Sequence, residues 1–120
     1  MTVLLVALGA AVGAPARFLT DIVAAHYLGR AMPWGTLAVN TAGSGLAAFL
    51  AVAATGPAWT ALLAIGFCGA LTTYSTLSWE TLQLAQTGRV LRAAANIAFN
   101  LGCGLGAGLA GAGLAHLLGF

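Results

Sequence analysis

Charge is what this sequence has least of. Six of its 120 residues are ionic, Arg17, Asp21, Arg30, Glu80, Arg89 and Arg92, and lysine is absent. A soluble domain carries about a quarter charged residues; here the share is 5%, against 61% hydrophobic and a mean hydropathy of +1.00. So little charge cannot cover a water-facing surface, so the solvent for most of the chain is lipid. The few arginines form no basic stripe, which excludes a nucleic-acid partner. No Ser-His-Asp set, paired carboxylates, metal-ligand cluster or phosphate loop is present, so enzyme chemistry has no support. Cys68 and Cys103 stand alone in apolar segments without metal spacing and read as small buried residues. The N-terminus lacks the positive region of a signal peptide, so a retained helix is expected from Thr2.

Residues 31 to 79 carry no charge. As one helix they would run roughly 70 Å, more than twice a hydrocarbon core of about 30 Å. The stretch therefore folds back, and Thr55-Gly56-Pro57 supplies the turn. One domain, 1–120, with four spans is expected: 2–27, 34–55, 58–86 and 90–118. Tyr27, Trp34 and Trp59 fall at span ends, where amphipathic rings anchor to the interface. His26 and His116 read as interfacial polar tips. Gly9 and Gly13, Gly102 and Gly106, and Gly104 and Gly108 are each four apart and predict close helix approach. Arg30, Arg89 and Arg92 belong to the first and third loops, Arg17 lies toward the same side, and the other side has no arginine. The positive-inside rule puts those loops in the cytoplasm and both termini outside. Four such helices make a thin bundle, so an oligomer is expected.

The polar residues inside the spans carry the functional information. The run Gly66-Phe-Cys-Gly69-Ala-Leu-Thr72-Thr73-Tyr74-Ser75-Thr76-Leu77-Ser78-Trp79-Glu80 lies in mid-span. Its glycines weaken a helix, and its hydroxyls offer the backbone other hydrogen-bond partners. A broken helix would expose carbonyls able to hold a cation; an unbroken one would bond its hydroxyls back to its own carbonyls. The residues alone leave both open. Asn40 stands in the second span, and Asn96 and Asn100 share one face of the fourth. An amide offers donors to an anion without a trapping charge. Interhelical glue, worth about 0.6 kcal/mol per contact, is the competing reading. Glu80 lies near the end of the third span, and Arg17 stands four residues before Asp21 as an interfacial ion pair or a functional group.

These motifs resemble those of the Fluc (CrcB-type) fluoride channel family. The run from Gly66 through Glu80 to Thr81 is similar to its third-helix signature. Gly13-Ala-Pro-Ala-Arg17-Phe resembles its first-helix arginine motif, and Trp34-Gly-Thr36-Leu-Ala-Val-Asn40-Thr-Ala-Gly43 resembles its second-helix motif. The resemblance covers essentially the whole chain. It implies an all-α integral membrane protein of four-helix subunits with a broken third helix, paired as an antiparallel dual-topology dimer. Two narrow pores would export fluoride across the plasma membrane of a prokaryote. A structural Na+ would sit between the breaks, held by the Gly69 and Thr72 carbonyls. Thr36, Asn40, Tyr74, Ser75, Leu77, Asn96 and Asn100 would line the anion path, with Arg17 and Glu80 in structural roles.

One departure stands out. The family pattern has two phenylalanines three apart whose positive ring edges face fluoride; this chain has Tyr74 and Leu77 there, and leucine has no ring. An arginine bias to one side also disfavours a chain that inserts both ways. Both features point to a heterodimer with an oppositely inserted paralogue, one pore being degenerate, beside the plain homodimer. A non-conducting subunit that completes its partner's pore is a further reading. A small multidrug/proton antiporter would need an embedded carboxylate in the first span, which has none before Asp21.

Overall fold

The computed structural model describes residues 1–53 and 56–120; Thr55, expected at the second turn, lies outside them. All regular structure among the described residues is helical. Four stretches are long and apolar enough to cross a bilayer: Thr2–Leu28, Trp34–Ala53, Pro57–Gln86 and Val90–Leu117. The longest dimension of the bundle is 47 Å, close to the roughly 40–45 Å of a bilayer with its headgroups. The first helix ends at Gly29 (φ 81°) and the third span at Gly88 (φ 80°), a conformation in which a Cβ is strained. Leu91, Leu105, Leu109 and Leu117 are largely exposed, whereas Val39, Ala61 and Ala115 are buried. Most large apolar side chains thus point outward, while the core holds small residues beside Leu50, Leu71 and Leu84, the arrangement of a bundle solvated by lipid.

Glycine sets which helices touch. A Cβ on Gly9 would overlap the Leu62 carbonyl, one on Gly13 would stand 3.1 Å from the Ala70 Cβ, and one on Gly66 would stand 2.6 Å from the Val6 carbonyl oxygen. The first helix therefore lies backbone to backbone on the start of the third span. The second and fourth helices share the most extensive contact; there a Cβ on Gly111 would overlap the Gly45 carbonyl. The sequence reading placed contacts at Gly102, Gly106 and Gly108, and this is corrected: those three face open space, and Gly104 alone approaches Ser44. The reason is the buried Asn96–Asn100 pair. It turns the 96, 100, 104, 107 and 111 face toward the second helix, and the other glycines outward.

The third span is not uniform. An α-turn at Pro57–Trp59 leads into a π-helix, Thr60–Cys68, and then a second turn, Gly69–Leu71. Thr72 (φ −78°, ψ 153°) and Thr73 (φ −151°, ψ 120°) are extended, and Tyr74–Gln86 is α-helical. Hydroxyls accompany this change. Thr72 Oγ1 donates to the Cys68 carbonyl at 2.9 Å, and Thr73 Oγ1 accepts the Thr76 N–H at 3.2 Å, capping the helix that follows.

Candidate functional site

The site is assembled around Thr73. In a continuous helix its N–H would bond to the Gly69 carbonyl; instead it donates to Asn40 Oδ1 at 2.8 Å. Asn40 Nδ2 donates back to the Thr73 carbonyl at 3.3 Å, so one amide satisfies both backbone groups of an extended residue inside the bundle. The diversion frees other groups. With Thr73 N–H on Asn40 and Thr76 N–H on Thr73 Oγ1, the carbonyls of Gly69 and Thr72 receive no backbone hydrogen bond among the described residues. Gly69 is exposed, and nothing lies within 4 Å of where its Cβ would be.

From Asn40 a chain of amides runs on through the bundle. Asn40 Nδ2 donates to Asn100 Oδ1 at 3.0 Å. Asn100 Nδ2 donates to the side-chain oxygen of Asn96 at 3.1 Å and to its carbonyl at 2.9 Å. Asn96 Nδ2 donates to Thr81 Oγ1 at 3.0 Å. The sense of the chain is fixed at its origin: a backbone N–H can only donate, so Asn40 turns its oxygen to Thr73 and its NH2 onward. Every amide after it must follow. Both N–H groups of Asn40 and both of Asn100 are thereby engaged. Asn96 is 1% exposed and Asn100 7%, so these bonds form away from water, where an unmade bond costs most.

The remaining expected residues fall around this chain. Thr36, 1% exposed, donates its hydroxyl to Glu80 Oε1. Ser75 is exposed with its oxygen 3.4 Å from Thr73 Oγ1. Tyr74 is 83% exposed, and Leu77 is half-buried. Both line an open hollow of about 380 Å³ with Asn40, Ser44, Gly69 and Thr72. Arg17 is half-buried on the first helix and joins neither hollow. Asp21, one turn on, sets its carboxylate against Gly35. At the loop end a second cavity, about 470 Å³, is lined by Asp21, Arg30, Trp34, Glu80, Gln83 and Arg89. The sequence reading missed Thr81 as an amide partner. Its signal was spacing: Leu77 and Thr81 stand four apart on one helical face, in line with the Thr73 cap.

Thr36→Val tests the Glu80 contact. It strips the carboxylate of a charge-assisted partner and should destabilise the protein in detergent by about 1–3 kcal/mol. Thr36→Ser should retain most of the stability. Thermal unfolding of the two variants reads the difference.

A family model described as CrcB-like protein, Camphor Resistance (CrcB), matches residues 4–112. The chain belongs to the CrcB family. Among its CrcB relatives is fluoride-specific ion channel FluC 1 of Frankia casuarinae, 48% identical over 125 residues and 97% of each chain. FluC 1 of Streptomyces avermitilis is 45% identical over 98% of each chain. FluC of a Sulfurihydrogenibium species is 38% identical over 96% of this chain and 97% of its own. The match to CrcB relatives runs nearly end to end, so the whole bundle, and not a fragment of it, is what they share.

Proposed function

We propose that this chain is a subunit of a fluoride channel that exports fluoride from the cytoplasm of a prokaryote across its plasma membrane. The near end-to-end likeness to relatives named as fluoride-specific channels carries the reading. The amide chain supports it chemically. Neutral donors buried in the bundle can strip water from a small anion and still release it, where a cation would hold it.

The assembly is an antiparallel dimer whose subunits meet at the Gly69–Tyr74 hollow. A surface carrying freed carbonyls and an exposed tyrosine hydroxyl is unsuited to lipid, where unpaired backbone groups cost several kcal/mol each. The residues there fit a hard cation: the Gly69 and Thr72 oxygens receive no hydrogen bond among the described residues, and Gly69 has no side chain to block approach. Na+ held there would neutralise those oxygens and clamp the two breaks together. Arg30, Arg89 and Arg92 on one side, with Tyr74 and Leu77 where paired aromatics would serve an anion, favour an oppositely inserted paralogue as the partner.

Liposomes holding the chain expressed alone, in sodium buffer, test this with a fluoride electrode. Rapid efflux supports a self-sufficient fluoride channel and sinks the need for a paralogue. Silence from folded protein that co-expression with a paralogue reverses supports the heterodimer. Silence in both preparations overturns the fluoride reading.

A further inference from the structure

The amide chain ends in two hydrogens that have no acceptor among the described residues. Asn96 Nδ2 has two N–H groups; one meets Thr81 Oγ1, and the other has no protein acceptor among the described residues, although Asn96 is 1% exposed. Buried donors left without any partner are rare in folded proteins. Thr81 has its own spare hydrogen. Thr20, Thr72 and Thr87 each return their hydroxyl hydrogen to the carbonyl four residues back, the usual habit of a helical threonine. Thr81 makes no such bond; its oxygen is turned to accept from Asn96. Two donors thus stand on atoms 3.0 Å apart, and Thr81 is only half-buried, so one of them can be reached.

Polarity adds to this. Each amide from Asn40 to Asn96 accepts on its Thr73 side and donates onward toward Thr81, with Asn40 keeping its second N–H on the Thr73 carbonyl. Aligned hydrogen-bonded dipoles reinforce one another, so the Thr81 end is the positive end. At Asn40 and Asn100 all N–H groups are already engaged.

We propose that Thr81 and Asn96 form a two-donor station for a small, hard, hydrogen-bond-accepting anion, on the Gly88 side of the extended Thr72–Thr73 segment. The inference rests on the fluoride reading and adds to it the place where the anion is first held. Chloride, larger and a weaker acceptor, gains less from two donors so closely set. Thr81 binds the anion and also positions Asn96, whose amide it anchors.

Fluoride efflux from liposomes, measured over a range of internal fluoride, tests the station. Thr81→Val keeps the shape and removes the hydroxyl. The half-saturating fluoride concentration should rise about tenfold, the worth of one buried hydrogen bond, with a smaller change in maximal rate. Thr81→Ser should restore the wild-type value, which a role confined to packing of the methyl group would not predict. If Thr81→Val does not yield folded protein, Thr81→Ala gives the same reading without the branched side chain. Half-saturation unchanged in a folded variant, while wild type conducts, overturns the station and leaves the fluoride reading intact. Absence of efflux from wild type, both alone and co-expressed with a paralogue, overturns the reading itself.

Discussion

Asn40→Asp should lower fluoride efflux by on the order of a hundredfold or more. The carboxylate still accepts the Thr73 N–H, so the extended segment retains one tie. It cannot donate to the Thr73 carbonyl or to Asn100 Oδ1, and it sets an acceptor against an acceptor at both places. The orphaned oxygens cost about 1–3 kcal/mol each. A fixed negative charge also repels an anion about 4 Å away by on the order of 1 kcal/mol in water and about 4 kcal/mol in a protein-like medium. About 2.8 kcal/mol is a factor of 100, so the two effects together exceed that figure. Electrode-measured efflux from liposomes is the check; a folded variant within about threefold of wild type would contradict the assigned geometry.

Gly9→Ala should be the most disruptive single methyl in the chain. Its Cβ would overlap the Leu62 carbonyl and come within 2.7 Å of the Phe67 nitrogen. Both are backbone atoms, so no rotamer change relieves the clash, and the first helix must lift away from the π-helical stretch. Overpacking costs about 1–3 kcal/mol and more where backbone must move; about 3 kcal/mol or more is expected here. Gly106→Ala is the matched control, because nothing lies within 4 Å of its Cβ. It gains up to about 1 kcal/mol of helix propensity. Thermal unfolding in detergent should separate the two clearly, and equal melting of both variants would mean that the Gly9 approach is not a tight one.

The membrane class and the family were legible because both are written locally. Scarce charge, long uncharged runs and three motifs in order need no knowledge of which helix meets which. The Asn96–Asn100 pairing was legible for the same reason, four residues on one face. What the sequence left undecided is non-local. Asn40 and Asn100 are 60 positions apart, and nothing in either segment says that their amides join. The hydroxyl cluster left a break and back-bonding both open; the structure has Thr72 bonding back to Cys68 while Thr73 leaves the helix and takes Asn40 instead. Glycine spacing named three pairs. Only the first lies at a backbone contact, because spacing shows that a face is smooth without saying what lies against it. The π-helix at Thr60–Cys68 has no periodic signature in a stretch that is apolar all round.

The single sense of the amide chain has an electrical consequence. Asn40, Asn100 and Asn96 cannot be reversed one at a time, since the Thr73 N–H fixes the first and each then fixes the next. The string is therefore a standing dipole running from mid-bundle toward the loop end that carries Arg30 and Arg89. A pore served by one such string would be a weak rectifier, passing anion current more easily at one sign of membrane voltage than at the other. Two opposed copies would cancel that preference, so the symmetry of the current–voltage curve would report how many of the strings in an assembled channel are intact.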